Sequence, residues 1–319
     1  MVTHRNPMKY CSVLMLLAFL GAACQPAGTA AAPAPTQAAL APTQIAPAAT
    51  LPSPTAGAET TLQRIKREGI IRVGFNGEDP YDFIDTNGNL VGEDIDVIKA
   101  ALAAAGVDVK VEGILGEWTG LIPGLLANRW DVIGAGMFTL PSRCAQAAFA
   151  NPDYSVGIAM AVKKGNPLNL HSYDDLLANP KVRISASPAG AETIYGKNIG
   201  IPDSQFVFSP DTPTCVAALQ AGRADVVISE ELGLSTVLKK LNDPTIEFVT
   251  MSHQPKGSPG YGAMVFRKED SDLRQLYNTG LAILLSNGQL AAIYDKYGLP
   301  HSMLPDPKVT AEQICAGGS

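Results

Sequence analysis

Between Ile70 and Tyr297 the chain changes its hydrophobic period again and again, and few folds accommodate that. Short apolar runs over 70–74, 107–111, 131–136, 182–185, 206–208, 224–228 and 246–250 read as strands. Between them apolar residues recur at helical spacing. Ile95, Ile98, Leu102 and Ala105 form one such stripe, which Gly106 ends. Leu121, Leu125 and Leu126 form another over 119–128. Leu273, Leu276, Tyr277, Gly280, Leu281 and Leu284 make a late helix, and 289–297 a last one. Parallel strands need a crossover, and the crossover is usually a helix, so this alternation predicts an α/β protein with mostly parallel sheets. Ligands in such sheets gather at the carboxyl ends of the strands.

The first sixth of the chain is different material, with no charged residue between Lys9 and Glu59. Arg5 and Lys9 give a basic start, and residues 10–23 are apolar but too short and wrongly flanked for a membrane span. We read 1–23 as a signal peptide. It ends in Leu20-Gly21-Ala22-Ala23-Cys24, small residues before a cysteine that resemble a bacterial lipobox, with Leu20 one place further from the cysteine than is usual. The expectation is lipidation of Cys24 as the mature N-terminus; the alternative is ordinary secretion with cleavage at another small-residue site. Residues 24–58, rich in Ala, Pro and Thr, have no apolar periodicity and read as an extended tether. Folded material begins near Glu59, leaving about 240–250 residues, enough for one large domain or two small lobes.

Charge narrows the function. Lys and Arg number 24 against 30 Asp and Glu, for a net charge of −6, so no basic surplus is available to neutralise nucleic-acid phosphates. No second apolar run reaches membrane-spanning length, which excludes a multi-span transporter. His4, His171, His253 and His301 are scattered, and no Cys/His spacing resembles a metal site, so neither metal nor cofactor is expected. Beyond Cys11 and Cys24 the chain has Cys144, Cys215 and Cys315. Export permits one disulfide. The odd count leaves the pairing open; Cys144 with Cys315, a tail pinned to the body, is the expected one, and Cys215 reads as a small core residue in a helical run.

Several segments, in order, resemble the polar amino-acid family of bacterial ABC-importer solute-binding proteins (family 3). They are Ile71-Arg72-Val73-Gly74, Pro80-Tyr81-Asp82-Phe83, the run from Gly88 to Asp96, the run from Trp118 to Leu125, and Trp130-Asp131-Val132-Ile133. Gly136 to Arg143, Asn151-Pro152-Asp153-Tyr154, Gly222-Arg223-Ala224-Asp225 and Asn287-Gly288-Gln289 follow. Each piece is weak; order and spacing together are specific over residues 65–300. Pro141-Ser142-Arg143-Cys144, the run from Gly165 to Asp175, and Gly200-Ile201-Pro202-Asp203 look like the ectoine/hydroxyectoine-binding proteins of that family.

The resemblance implies a two-lobed periplasmic-binding-protein fold of type II with two crossover hinge strands. Lobe 1 would be 59–156 and 262–304, lobe 2 would be 157–261, and 305–319 a C-terminal tail. The crossovers are expected at 156–161 and 261–266. A ligand binding the closed form better would drive closure. Such a protein is expected as a monomer, lipid-anchored on the outer face of the cytoplasmic membrane or in the periplasm, handing a small zwitterionic solute to an ABC permease.

The resemblance also implies a site. Arg143 matches the arginine that clamps a ligand carboxylate, and a guanidinium fork fits a carboxylate in a bidentate way. Gly136, just before it, lets backbone approach the ligand. Tyr81, Trp118 and Phe138 fall at loop positions that line the cleft in this family and together would form a box of ring faces, suited to a delocalised cation such as the ectoine amidinium. Glu78 matches an acidic position in the ectoine binders. In lobe 2, Gly190 and Ala191 would offer backbone N–H groups at a helix start over 193–197. Glu230 stands where α-amino-acid binders keep an acid for the ammonium, which keeps a polar L-amino acid open as ligand. The fold is shared with periplasmic cyclohexadienyl dehydratases, so an enzyme is the reading from another class. No nucleophile–base pair or phosphate loop supports catalysis, and a non-enzyme is expected.

Overall fold

The computed structural model describes residues 59–254 and 260–317. The expected signal peptide 1–23, Cys24 and the expected tether 24–58 lie outside the described residues. No helix among the described residues is long and apolar enough to cross a membrane.

Two five-stranded sheets organise the described chain. The first runs Lys110–Leu115, Ile70–Phe75, Val132–Ile133, Val265–Phe266, Ala148–Phe149. The second runs Phe206–Phe208, Ile184–Ala186, Val226–Glu230, Ile158–Lys163, Ile246–Thr250. In each sheet the first three strands are parallel and the last two join antiparallel. The expected mostly parallel sheets are therefore mixed, for a simple reason. Ile158–Lys163 and Val265–Phe266 are the strands by which the chain enters each sheet from the other, without a crossover helix to turn them round.

The connection between the sheets is a two-stranded ladder, Tyr154–Val156 against Gly260–Gly262, with Gly260 opposite Val156 and Gly262 opposite Tyr154. It sits earlier than the expected crossovers. From Ile158 the first expected segment already belongs to the second sheet, and Val265–Phe266 of the other already belongs to the first.

Other elements shift by local chemistry. Gly106 turns left-handed at φ 84°, so the strand expected at 107–111 starts later, at Lys110, where it pairs with Ile70. Only Val132 and Ile133 of the 131–136 run are in ladder pairing, because Gly136, at φ 57°, bends the chain away. Helix Glu93–Ala104 crosses helix Ser271–Asn287 closely enough that a Cβ on Gly280 would lie 1.8 Å from the Ala101 carbonyl oxygen. Trp130 is fully buried against Gly74 and Gly124, where a side chain would overlap the indole. Cys144 and Cys315 form a disulfide that ties the short helix Ala311–Cys315 to the turn Pro141–Cys144. Cys215 is a buried free thiol, pushed up to about 12 by burial.

Candidate functional site

The loop after Ile70–Phe75 is gathered by one buried carboxylate. Asp82 accepts the backbone N–H groups of Asn76 (3.0 Å), Gly77 (2.5 Å) and Glu78 (3.2 Å). This holds Glu78 and Tyr81 at the carboxyl end of the strand. Gly136 faces them from the end of the neighbouring strand and donates its N–H to Asp94 at 2.8 Å. A Cβ there would meet the Tyr81 ring at 2.8 Å, so glycine is required both by φ and by space.

Arg143 lies in the turn Pro141–Cys144 and is only 6% exposed. Its Nη1 donates to the Phe138 carbonyl at 2.7 Å, and its Nη2 reaches across the cleft to the Ala189 carbonyl at 2.8 Å. Burial lowers its pKa to about 10, so it stays charged at neutral pH. A guanidinium has five N–H donors, and these two bonds leave the others for a ligand.

The three expected rings divide between two tasks. Trp118 lies in a 3-10 turn with its ring 5.3 Å from the Arg143 guanidinium carbon, so its face steadies the arginine. Tyr81 and Phe138, 1% and 3% exposed, instead flank a ring the sequence did not single out as a site residue, Tyr154, with centroids 4.9 and 6.1 Å away. Tyr154 belongs to the hinge ladder, and glycines opposite make the room. A Cβ on Gly262 would lie 1.7 Å from the Tyr154 ring, and one on Gly260 would lie 1.9 Å from the Phe138 ring.

The second lobe brings its own loops. Gly190 precedes helix Ala191–Asn198, two residues longer at its start than expected, and Thr193 Oγ1 donates to the Ser187 carbonyl at 2.7 Å. Glu230 ends the strand Val226–Glu230 and caps the helix Glu231–Leu241, accepting the Leu232 and Gly233 N–H groups. Glu78 comes to the same place from the first lobe. A Cβ on Gly233 would lie 2.6 Å from Glu78 Oε1 and 3.1 Å from Glu230 Oε2. Burial, then the neighbouring Glu78 charge, pushes Glu230 up to about 8. Burial likewise raises Glu78, against hydrogen bonds from Asn76 and Thr212.

All nine expected residues, Glu78, Tyr81, Trp118, Gly136, Phe138, Arg143, Gly190, Ala191 and Glu230, border one small cavity. Asn76, Ser187, Glu192, Pro210, Asp211, Thr212 and Ser229 complete its wall and were not among the expected site residues. Most lie within a few positions of a strand's carboxyl end, and that placement was the available signal. The lobes meet across the cavity through Arg143 and Ala189, through Thr212 and Glu78 at 3.4 Å, and through the ion pair of Lys240 with Asp79. Among the described residues no group of three or more His, Cys, Asp or Glu is arranged to hold a metal.

Two mixed sheets joined by a paired hinge, with strand ends converging on a cavity between them, define a type II solute-binding clamp. The chain belongs to the bacterial extracellular solute-binding proteins, family 3, whose model matches residues 71–300. A probable amino-acid ABC transporter periplasmic-binding protein of Sinorhizobium fredii (strain NBRC 101917 / NGR234) is 31% identical over 268 residues, 82% of this chain and 87% of that one. The L-cystine-binding protein of Escherichia coli (strain K12) is 26% identical over 75% of this chain and 86% of its own. Among solved structures, EhuB in complex with hydroxyectoine superposes with a TM-score of 0.74 at 32% identity, covering 81% of this chain and 98% of that one. An ancestral amino acid-binding protein, a precursor of cyclohexadienyl dehydratase, superposes at 0.63 and 27% identity, covering 75% and 99%. The chain is thus a solute-binding protein of an amino-acid-type ABC importer, acting outside the cytoplasm. Its family and its nearest relatives here are binding proteins rather than enzymes.

Proposed function

We propose that the protein captures ectoine or 5-hydroxyectoine as a lipid-anchored monomer on the outer face of the cytoplasmic membrane and delivers it to its permease. The observation that carries this reading is the polarity of the cavity. Arg143 is on its wall, Glu78 and Glu230 converge on Gly233, and Tyr81 and Phe138 border the same space. A cyclic amidinium has an N–H on each side, and two carboxylates from opposite lobes suit it, so its capture would also close the clamp. The ring carboxylate would take the Arg143 fork, helped by N–H groups near Gly190 and Ala191. The likeness to the hydroxyectoine complex of EhuB supports the same ligand class.

Glu230 also favours a second reading, a polar L-amino acid whose ammonium it would hold, in keeping with the amino-acid-binding relatives. Cyclohexadienyl dehydratase activity is the reading from another class. Calorimetry against ectoine, 5-hydroxyectoine, glycine betaine, proline, glutamine, glutamate and arginine separates the first two. Tight binding of the ectoines alone is the expected result. An amino acid bound with no ectoine would keep the transport role and assign Glu230 to the ammonium. Product release from prephenate or arogenate would replace both. Lipidation at Cys24 is tested apart: Cys24→Ala should move the protein from the membrane fraction to the soluble one.

A further inference from the structure

The cavity wall carries three aliphatic hydroxyls, those of Ser187, Thr212 and Ser229. Two of them are engaged. Thr212 and Ser229 bond to each other at 3.1 Å, and Thr212 Oγ1 donates to Glu78 at 3.4 Å. The third, Ser187 Oγ, is buried and has no hydrogen-bond partner among the described residues. The residue itself is held in place, since its carbonyl accepts Thr193 Oγ1 at 2.7 Å. Asn76 Oδ1 and the Tyr81 hydroxyl are also unpartnered on this wall, but both residues have an acid beside them, Glu78 and Glu230. A buried hydroxyl left unpaired costs free energy that an alanine would not. Ser187 Oγ therefore does nothing for the fold, and a group of that kind calls for a partner in the ligand.

Position in the fold says which part of the ligand that is. Ser187 comes just before Ala189, whose carbonyl takes the Arg143 Nη2 at 2.8 Å, so it belongs to the loop that meets the arginine across the cleft. A ligand with its carboxylate on Arg143 brings its neighbouring carbons to the same loop. We infer that Ser187 is a specificity-determining residue that reads a hydroxyl on the carbon next to the carboxylate-bearing one. In 5-hydroxyectoine the ring hydroxyl is on that carbon, where ectoine has only hydrogen. The inference rests on the carboxylate pose proposed above.

The chemistry of a serine suits this task. A ligand hydroxyl can accept from Ser187 or donate to it, whichever its own geometry allows. When the clamp closes on a ligand without the matching group, Ser187 gives up water and gains nothing. Discrimination therefore works against the parent solute as well as for the hydroxylated one. Taking the Ser187 hydroxyl away should move the two ligands in opposite directions. A serine with a merely structural role would move both the same way.

The test is calorimetry of wild type, Ser187→Ala and Ser187→Thr with ectoine, 5-hydroxyectoine, L-alanine and L-serine. L-Serine differs from L-alanine as 5-hydroxyectoine differs from ectoine, by a hydroxyl on the carbon next to the carboxylate-bearing one. Wild type should bind the hydroxylated member of a pair about tenfold tighter than its parent. Ser187→Ala should weaken the hydroxylated ligand and tighten the parent, each by about threefold, which erases the preference. Ser187→Thr keeps the hydroxyl and should keep the preference, which separates loss of the contact from damage to the loop. Equal weakening of both ligands by Ser187→Ala would put the hydroxyl on the shared carboxylate and overturn the inference. So would a wild type that binds both members of a pair alike. The ectoine reading is judged separately, by which pair binds; the expected pattern in serine and alanine alone would sink that reading and leave the inference standing. Binding of none of the four by wild type overturns both.

Discussion

At the residue scale the site is one cation held by neighbours rather than by an opposing acid. Arg143 has two backbone carbonyls and a tryptophan face for company and, among the described residues, no carboxylate in salt-bridge contact, so its charge is left for a ligand. Arg143→Ala should cost about 3–5 kcal/mol of carboxylate binding, on the order of a hundredfold or more, read by calorimetry. Arg143→Lys should recover little of it, since an ammonium cannot make the two carbonyl bonds and a bidentate ligand bond together. The rings separate by role. Trp118→Ala should weaken every carboxylate ligand alike, through Arg143. Phe138→Ala should weaken ectoine more than a simple amino acid, because its ring borders the cavity as part of the Tyr81–Tyr154–Phe138 row. Equal losses for both ligands in Phe138→Ala would remove the aromatic part of the ectoine reading.

At the element scale the hinge and the pocket wall are one structure. Gly260 and Gly262 pair with the strand that carries Tyr154, and their missing side chains accommodate Phe138 and Tyr154. Phe138 itself bridges to Gly262. A methyl at 260 has to displace the Phe138 ring, so Gly260→Ala should lower stability by about 1–3 kcal/mol. Ligand affinity should fall with it, and an unchanged affinity would mean the ring relaxes away from the cavity. The disulfide acts at the same scale from the other side. It joins Cys144, next to Arg143, to a helix 171 residues further along the chain. Cys315→Ser should lower stability by about 2–5 kcal/mol in a melting experiment and loosen the Arg143 turn enough to weaken the ligand several-fold.

At the scale of the whole molecule the buried acids oppose closure of the empty clamp. Glu78 and Glu230 come from different lobes, and Glu78, Glu192 and Glu230 all sit above the ordinary carboxyl value of 4.5 in the closed form, Glu230 at about 8 and Glu192 at about 7. In an open clamp, water would reach them and restore ordinary values. The closed form therefore binds more protons between about 4.5 and 8, and loses stability relative to the open one as pH rises through that window. The ligand-free protein should be compact near pH 5 and expand toward pH 8.5 by small-angle scattering, while the liganded protein stays compact at both. Glu230→Gln should flatten the change. A radius of gyration independent of pH in the empty protein would show that the acids do not govern closure.

The sequence by itself determined the class of fold and most of the wall of the cavity. Hydrophobic period decides strand against helix locally, which placed the strand ends; Glu78, Tyr81, Phe138, Arg143 and Glu230 were legible through the resemblance of their segments to the solute-binding family. Among the three cysteines of the folded part the sequence also pointed to Cys144 with Cys315 as the pair and to Cys215 as a core thiol, and that is how they stand. Tertiary structure alone decided what each residue faces. Trp118 lays its ring by the arginine while it borders the cavity, Tyr154 joins the ring row, and Glu192 folds back into a seat that exists only because residue 190 has no side chain. The one reversed strand in each sheet, Ile158–Lys163 and Val265–Phe266, was likewise set by where the hinge delivers the chain. Apart from the Glu192 seat, these are consequences of contacts between segments tens to more than a hundred residues apart, and a local period carries no information about them.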